Sequence, residues 1–151
     1  MLACLLASAA LTVAGPGATT AEDAAAVALA TRVLDRGATL FDTRDARAMA
    51  ATYTEDARVE LISRTDDGLK VEATTGRPAI EDMYRRAFEG QSSIRSKNTV
   101  ESARMVGPDI LLIQGQFRPT EGSQFYPFTQ VRVRQGDNWL MARLQLFVVG
   151  P

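Results

Sequence analysis

The sequence predicts an α+β domain in which helices pack on one face of an antiparallel sheet. Three observations carry that reading. The segment Leu40–Leu61, LFDTRDARAMAATYTEDARVEL, runs from the end of one helix through a polar turn and a short second helix into a strand. Helical periodicity returns once more, after Gly76-Arg77-Pro78, and everything beyond Gln91 reads as strand. The 151 residues, 46% hydrophobic and 23% charged, suffice for one domain with one core.

Taken in order, Glu22 to Phe41 places Val27, Ala30, Val33, Leu34, Leu40 and Phe41 at spacings of three and four, which predicts a long amphipathic helix with Thr20 or a neighbour as its cap. Thr43-Arg44-Asp45 interrupts it, and Asp45 can cap a second helix from Ala46 to Tyr53. Glu55 and Asp56 mark that helix's exit and bend the chain into the sheet. Arg58 to Ser63 and Leu69 to Ala73 then read as two strands about the turn Thr65-Asp66-Asp67-Gly68. Pro78 suits the first turn of a third helix, where its missing N–H costs nothing, and Ile80, Met83, Tyr84, Ala87 and Phe88 form its apolar stripe before Gly90. Four strands follow, at Ile94–Val106, Ile110–Arg118, Phe125–Arg134 and Trp139–Val149.

The last two strands predict a partner. Val131-Arg132-Val133-Arg134 alternates cleanly. In the final strand, Leu140, Ala142, Leu144, Leu146 and Val148 share one face, and Trp139, Met141, Arg143, Gln145 and Phe147 share the other. Both faces are largely apolar, which a single-layer sheet does not cover alone. A homodimer through the outer sheet face would explain it. The alternative is a sheet edge wrapped by the N-terminal tail.

Composition removes whole classes of chemistry. Seventeen basic residues against eighteen acidic give a net charge of −1, so no basic field is available for nucleic acid. Histidine is absent, and with it the commonest general base and imidazole metal ligand. Cys4 is the one cysteine, so no intramolecular disulfide or thiolate metal cluster is expected. No calcium-loop spacing occurs, and neither a metal nor a cofactor is expected. Met1–Ala14, MLACLLASAALTVA, is apolar and too short to span a bilayer, but it suits the core of a signal peptide. Residues 1–21 are therefore expected to be an export segment and 22–151 the domain, secreted or periplasmic with no transmembrane span. Leu2-Ala3-Cys4 resembles a bacterial lipoprotein box if the true start lies upstream, with Cys4 as the lipidated residue. The alternative is a retained N-terminal helix.

Four motifs in order carry a family resemblance: Leu40-Phe41-x-x-Arg44-Asp45-Ala46, Tyr53-Thr54-Glu55-Asp56-Ala57, Gly76-Arg77-Pro78-Ala79-Ile80 and Asp137-Asn138-Trp139. Over about residues 24–149 the chain resembles the nuclear transport factor 2-like superfamily, and within it the SnoaL-like group that includes polyketide cyclases and ketosteroid isomerases. The resemblance implies a cone-shaped fold, a curved antiparallel sheet with three helices packed on its concave face around a pocket. It does not imply a chemistry. Ketosteroid isomerases use a carboxylate base with a tyrosine and a protonated acid. Matched through Leu40–Leu61, those positions fall on Leu61, on Gly37 and near Thr129, so that mechanism is not retained. Scytalone-dehydratase chemistry, which resembles a histidine-dependent site, is disfavoured too.

The pocket expected from this pattern has Thr129, Val131 and Val133 facing inward, joined by Met141, Arg143, Gln145 and Phe147, with Tyr53, Tyr84 and Phe88 closing it from the helices. Arg143 with Gln145 over an apolar cone suits a small hydrophobic or anionic ligand. Alternatively, Arg143 pairs with Glu60 or Glu72, or points outward. Gln114 and Gln116 form a second polar pair of the same ambiguous kind. Two functions follow: a small-molecule-binding or accessory domain without catalysis, or a cyclase, isomerase or hydrolase acting on a hydrophobic carbonyl compound. In the second, Tyr53, Tyr84 and Asp42 are the acid-base candidates. A third reading, a pure protein-interaction module using the sheet face, would be supported by a cone filled by Phe and Met.

Overall fold

A computed structural model of the chain describes residues 21–90 and 95–148. Residues 1–20 of the expected export segment, with Cys4 and the Thr20 cap, lie outside the described residues, and its last residue, Ala21, opens the first helix. The elements are α1 (Ala21–Asp42), α2 (Ala46–Ala51), β1 (Tyr53–Thr65), β2 (Gly68–Thr75), α3 (Arg77–Phe88), β3 (Lys97–Met105), β4 (Ile110–Arg118), β5 (Tyr126–Gln135) and β6 (Asn138–Val148). Their order is the one the sequence predicts.

Local chemistry sets most boundaries. Asp45 caps α2, its Oδ1 accepting from the Ala48 N–H at 2.9 Å. Gly76, at a φ of 87° that disfavours any side chain, precedes α3, and Pro78 sits in the first turn of that helix. One boundary is tertiary. α2 ends at Ala51 and the strand begins at Tyr53, not at Arg58, because the Thr52 carbonyl accepts from the Met141 N–H of β6 at 2.9 Å and Tyr53 pairs with Met141. Glu55 and Asp56 accordingly lie inside β1, exposed, at an irregularity where Tyr53 to Arg58 span only Met141 to Arg143 on the neighbouring strand.

The six strands form one curved, open sheet in the order β2-β1-β6-β5-β4-β3. Every neighbouring pair is antiparallel except β1 with β6, which run parallel. The two strands come from opposite ends of the domain, and the chain between them supplies the long crossover that a parallel pair needs. α1 packs across β3 and β4, and α3 packs on β1 and β2, with α2 wedged between the helices and β1. Two apolar clusters result. Ala26, Ala30 and Leu34 of α1 meet Ala103, Leu111, Ile113 and Phe128, while Met49, Ile80 and Tyr84 meet Tyr53, Ala57, Val59 and Met141.

One bulge decides which side chains face the helices. Val131 of β5 opposes Arg143, but the next residue, Arg132, opposes Met141, so Ala142 is an extra residue on β6. An extra residue reverses the alternation beyond it. Met141 and Leu144 consequently share the inner side although they are three apart, and Leu146 follows them.

The same substitution is expected to act oppositely at two glycines. A Cβ on Gly115 of β4 would lie 2.1 Å from the Thr99 carbonyl oxygen and 3.0 Å from the Phe128 ring, so Gly115→Ala forces the β3–β4 ladder apart and costs about 1–3 kcal/mol or more. A Cβ on Gly37, within α1, meets nothing within 4 Å, so Gly37→Ala should gain about 0.5–1 kcal/mol of helix stability. Urea unfolding of the two variants tests this pair.

Candidate functional site

Between the helices and the inner sheet face lies a cavity of about 540 Å³. Its wall is apolar, built by Val33, Leu34, Leu40 and Phe41 of α1, Met49 of α2, Met83 of α3, and Leu61, Phe117, Phe128, Leu144 and Leu146 of the sheet. Arg36, Ala51, Asp137 and Asn138 line it and are exposed, which marks where it reaches solvent. The volume falls within the range of pockets that enclose a small organic ligand.

The polar groups gather along one row. Tyr53 of β1 lies beside Met141 of β6, and Met141 opposes Arg132 of β5. Tyr84, on α3, brings its hydroxyl within 2.6 Å of the Tyr53 hydroxyl. Arg132 is only 5% exposed. Its Nε donates to the Gln130 Oε1 at 2.9 Å, two residues back on the same strand face, and its Nη1 donates to the Trp139 carbonyl at 3.1 Å. Burial lowers the guanidinium's pKa to about 10, against the opposing pull of Tyr53 and Tyr84, so it remains protonated at neutral pH. Both phenols are raised above their usual value, chiefly by burial, and in both the Arg132 charge pulls the other way. One cation and two neutral phenols therefore share a buried floor beneath an apolar wall.

The seven residues expected in the pocket divide between its two sides. Tyr53 and Tyr84 line the cavity. Phe88 stands behind it, stacked on Tyr84 at 5.6 Å and edge-on to Phe41 at 5.1 Å, and so holds the wall in place. Thr129, Arg143, Gln145 and Phe147 face the other side of the sheet, and the expectation that they line the cone is corrected. The Ala142 bulge separates Met141 from Arg143, Gln145 and Phe147, and on β5 the buried side chains are Phe128, Gln130 and Arg132. Thr129 pairs with Gln145 on that outer side. Arg143 is exposed and donates to the Asp56 and Ala142 carbonyls, and Gln145 donates to Glu60 Oε2 at 2.9 Å. The outward alternative for Arg143 is the one the structure has.

Other candidates are tied up elsewhere. Asp42 accepts from the Ser96 N–H at 2.9 Å, fastening the end of α1 beside the start of β3, and it does not line the cavity. Gln116 donates to Glu101, and Gln114 accepts from Ser102, both across the β3–β4 pair. Leu61 and Gly37, where the resemblance to ketosteroid isomerases put a base and a tyrosine, do line the cavity, as an apolar side chain and as none. Among the described lining residues the one carboxylate is Asp137, exposed in the β5–β6 turn.

Arg132 and Gln130 were missed because Val131-Arg132-Val133-Arg134 reads as a strand with its valines inside. The structure has the reverse, Arg132 buried and both valines only partly covered. The alternation shows that two faces exist, not which one meets the helices.

A curved sheet folded over a helix-lined cavity defines the nuclear transport factor 2-like class. Within it, the SnoaL-like domain model matches residues 19–145, and the chain belongs to that family. An NTF2-like protein of unknown function from Shewanella oneidensis MR-1 is similar with a TM-score of 0.62 at 16% identity, over 79% of this chain and 96% of that one. A scytalone dehydratase candidate from Novosphingobium aromaticivorans DSM 12444 gives 0.60 at 15%, over 82% and 86%. A protein of unknown function with a cystatin-like fold from Nostoc punctiforme PCC 73102 gives 0.56 at 19%, over 86% and 78%. At these identities the likeness establishes the fold alone. The comparison with curated proteins found no match.

The buried phenols have a measurable signature. Of the three tyrosines, Tyr53 and Tyr84 should remain protonated above pH ~10, where free tyrosine ionises. Phenols held neutral by folding contribute stability that is complete below that pH and lost as the pH rises through their raised values. Tyrosinate absorbance followed to high pH should show two late steps coinciding with alkaline unfolding, and Tyr53→Phe and Tyr84→Phe should each remove one.

Proposed function

We propose that this SnoaL-like domain binds a small hydrophobic molecule carrying a carbonyl or anionic group inside the cone, and does not transform it. The observation that carries this reading is the composition of the cavity: an apolar wall over a floor of hydrogen-bond donors, with no carboxylate beside them among the described residues. Donors without a paired base orient a ligand but do not abstract a proton from it. The second reading, an enzyme of the cyclase, isomerase or hydrolase kind, draws support from the Tyr53–Tyr84 pair beside Arg132, which is the form a site takes when it stabilises a developing oxyanion.

Two proposals about context accompany it. The outer sheet face, where Ile62, Leu112, Val131 and Phe147 stand partly exposed, has no helix over it among the described residues, and this favours a homodimer through that face. The apolar run Met1–Ala14 favours export as a secreted, periplasmic or lipid-anchored protein, with residues 22–151 as the working domain. No helix among the described residues is long and apolar enough to cross a membrane. Native mass spectrometry of the protein from its own host reads both proposals: a monomer retaining Met1 would overturn them.

Trp139, the only tryptophan, lines the cavity and reports its occupancy. Cyclododecanone, a saturated ketone that does not absorb where tryptophan is excited, should change Trp139 fluorescence saturably and raise the melting temperature as its concentration passes Kd. The bound ketone's α-hydrogens should exchange with D2O no faster than in buffer, followed by proton NMR. Accelerated exchange would move the assignment to the enzyme; absence of binding by this and other hydrophobic carbonyl probes would remove both.

A further inference from the structure

We propose that the floor of the cone is a carboxylate site built on Arg132, so that the ligand is a hydrophobic organic acid held with its carboxylate on the guanidinium and its apolar body against the wall. This rests on the reading that the cone binds a small molecule, and it names the chemistry of that molecule.

The first argument is charge. A buried guanidinium ordinarily stands against a carboxylate, because an unpaired charge in a dry interior is strongly disfavoured. Arg132 has none: no ion pair among the described residues includes it, and its electrostatic partners are the two neutral phenols. Residues 1–20, 91–94 and 149–151 contain no aspartate or glutamate either. An anionic group that enters the cavity would supply the counter-charge that the described residues do not place against Arg132.

Hydrogen bonding points the same way. Of the guanidinium's five N–H groups, one goes to Gln130 and one to the Trp139 carbonyl, which leaves three without a protein acceptor among the described residues. The tyrosine pair adds a fourth donor. Whichever of Tyr53 and Tyr84 donates in their 2.6 Å bond, the other hydroxyl keeps a proton with no further acceptor among the described residues. A planar carboxylate, with two oxygens and room for about four hydrogen bonds, fits this set. Its single negative charge balances the one buried cation of the floor, whereas a phosphate dianion would bring a second charge there, the other lining cation, Arg36, being exposed.

The test compares 4-cyclohexylbutanoate with its neutral isostere 4-cyclohexylbutanamide at neutral pH, by calorimetry and by Trp139 fluorescence. The wild-type protein should bind the acid about tenfold or more tightly than the amide. Arg132→Met, which replaces the cation with an apolar chain of similar length, should erase the preference while changing amide affinity little. Equal binding of the two by the wild-type protein would overturn the carboxylate site and leave the cone as a ligand site intact. Binding of neither would overturn both. If Arg132→Met does not fold, the wild-type ratio decides, together with Tyr84→Phe, which should weaken the acid several-fold and the amide less.

Discussion

The structure turns on the parallel pairing of β1 with β6. The hydrogen bond from the Met141 N–H to the Thr52 carbonyl stops α2, starts β1 and fixes Tyr53 next to Met141. Because Met141 also opposes Arg132, one row across three strands brings together a phenol from the start of the domain and a guanidinium from near its end. α3 packs on β1 and so delivers Tyr84 to the same place. Arg77, at the start of α3, locks this arrangement from behind by donating twice to the Tyr53 carbonyl. Without that pairing there would be a sheet and three helices, but no polar floor.

The floor is held at a cost borne by the rest of the fold. A guanidinium buried with only a glutamine oxygen and one carbonyl is under-satisfied, and local conflict of this kind between a residue and its burial is characteristic of functional sites. The surroundings compensate through packing. Phe41 makes edge contacts with Tyr84, Phe88 and Phe117, tying α1 to α3 and to β4 around the cavity mouth and wall. Asn98 and Ser96 donate to the Leu34 and Ala38 carbonyls, which pins the C-terminal half of α1 over β3. The wall is thus braced by packing where the ligand's apolar body would lie, and the donors of Arg132 and the tyrosine pair lie at the floor.

Much of the fold was legible because its determinants are local. Asp45 at a cap, Gly76 and Pro78 at a helix start, and period-two runs bounded by turn residues each act over a few positions. The site was legible only in part. Tyr53 and Tyr84 lie on apolar helical stripes or next to them, so their inward placement followed from periodicity. Arg143 and Gln145 were misplaced for a specific reason: a strand pattern is read with an unbroken period of two, and the Ala142 bulge breaks it. No residue in Leu140-Met141-Ala142-Arg143 announces the bulge. It arises from the partner strands on either side.

The sequence by itself determined the order and kind of the elements, the absence of histidine and the loss of a carboxylate base at Leu61 and of a tyrosine at Gly37, because these depend on residue identity and near neighbours. Only the tertiary structure decided which face of β5 meets the helices. That choice depends on how β6 is held between β1 and β5, a matter of contacts between residues as far apart in the chain as Tyr53 and Met141. It turned Arg132 from one of two apparently solvated arginines into the buried cation at the floor of the cone.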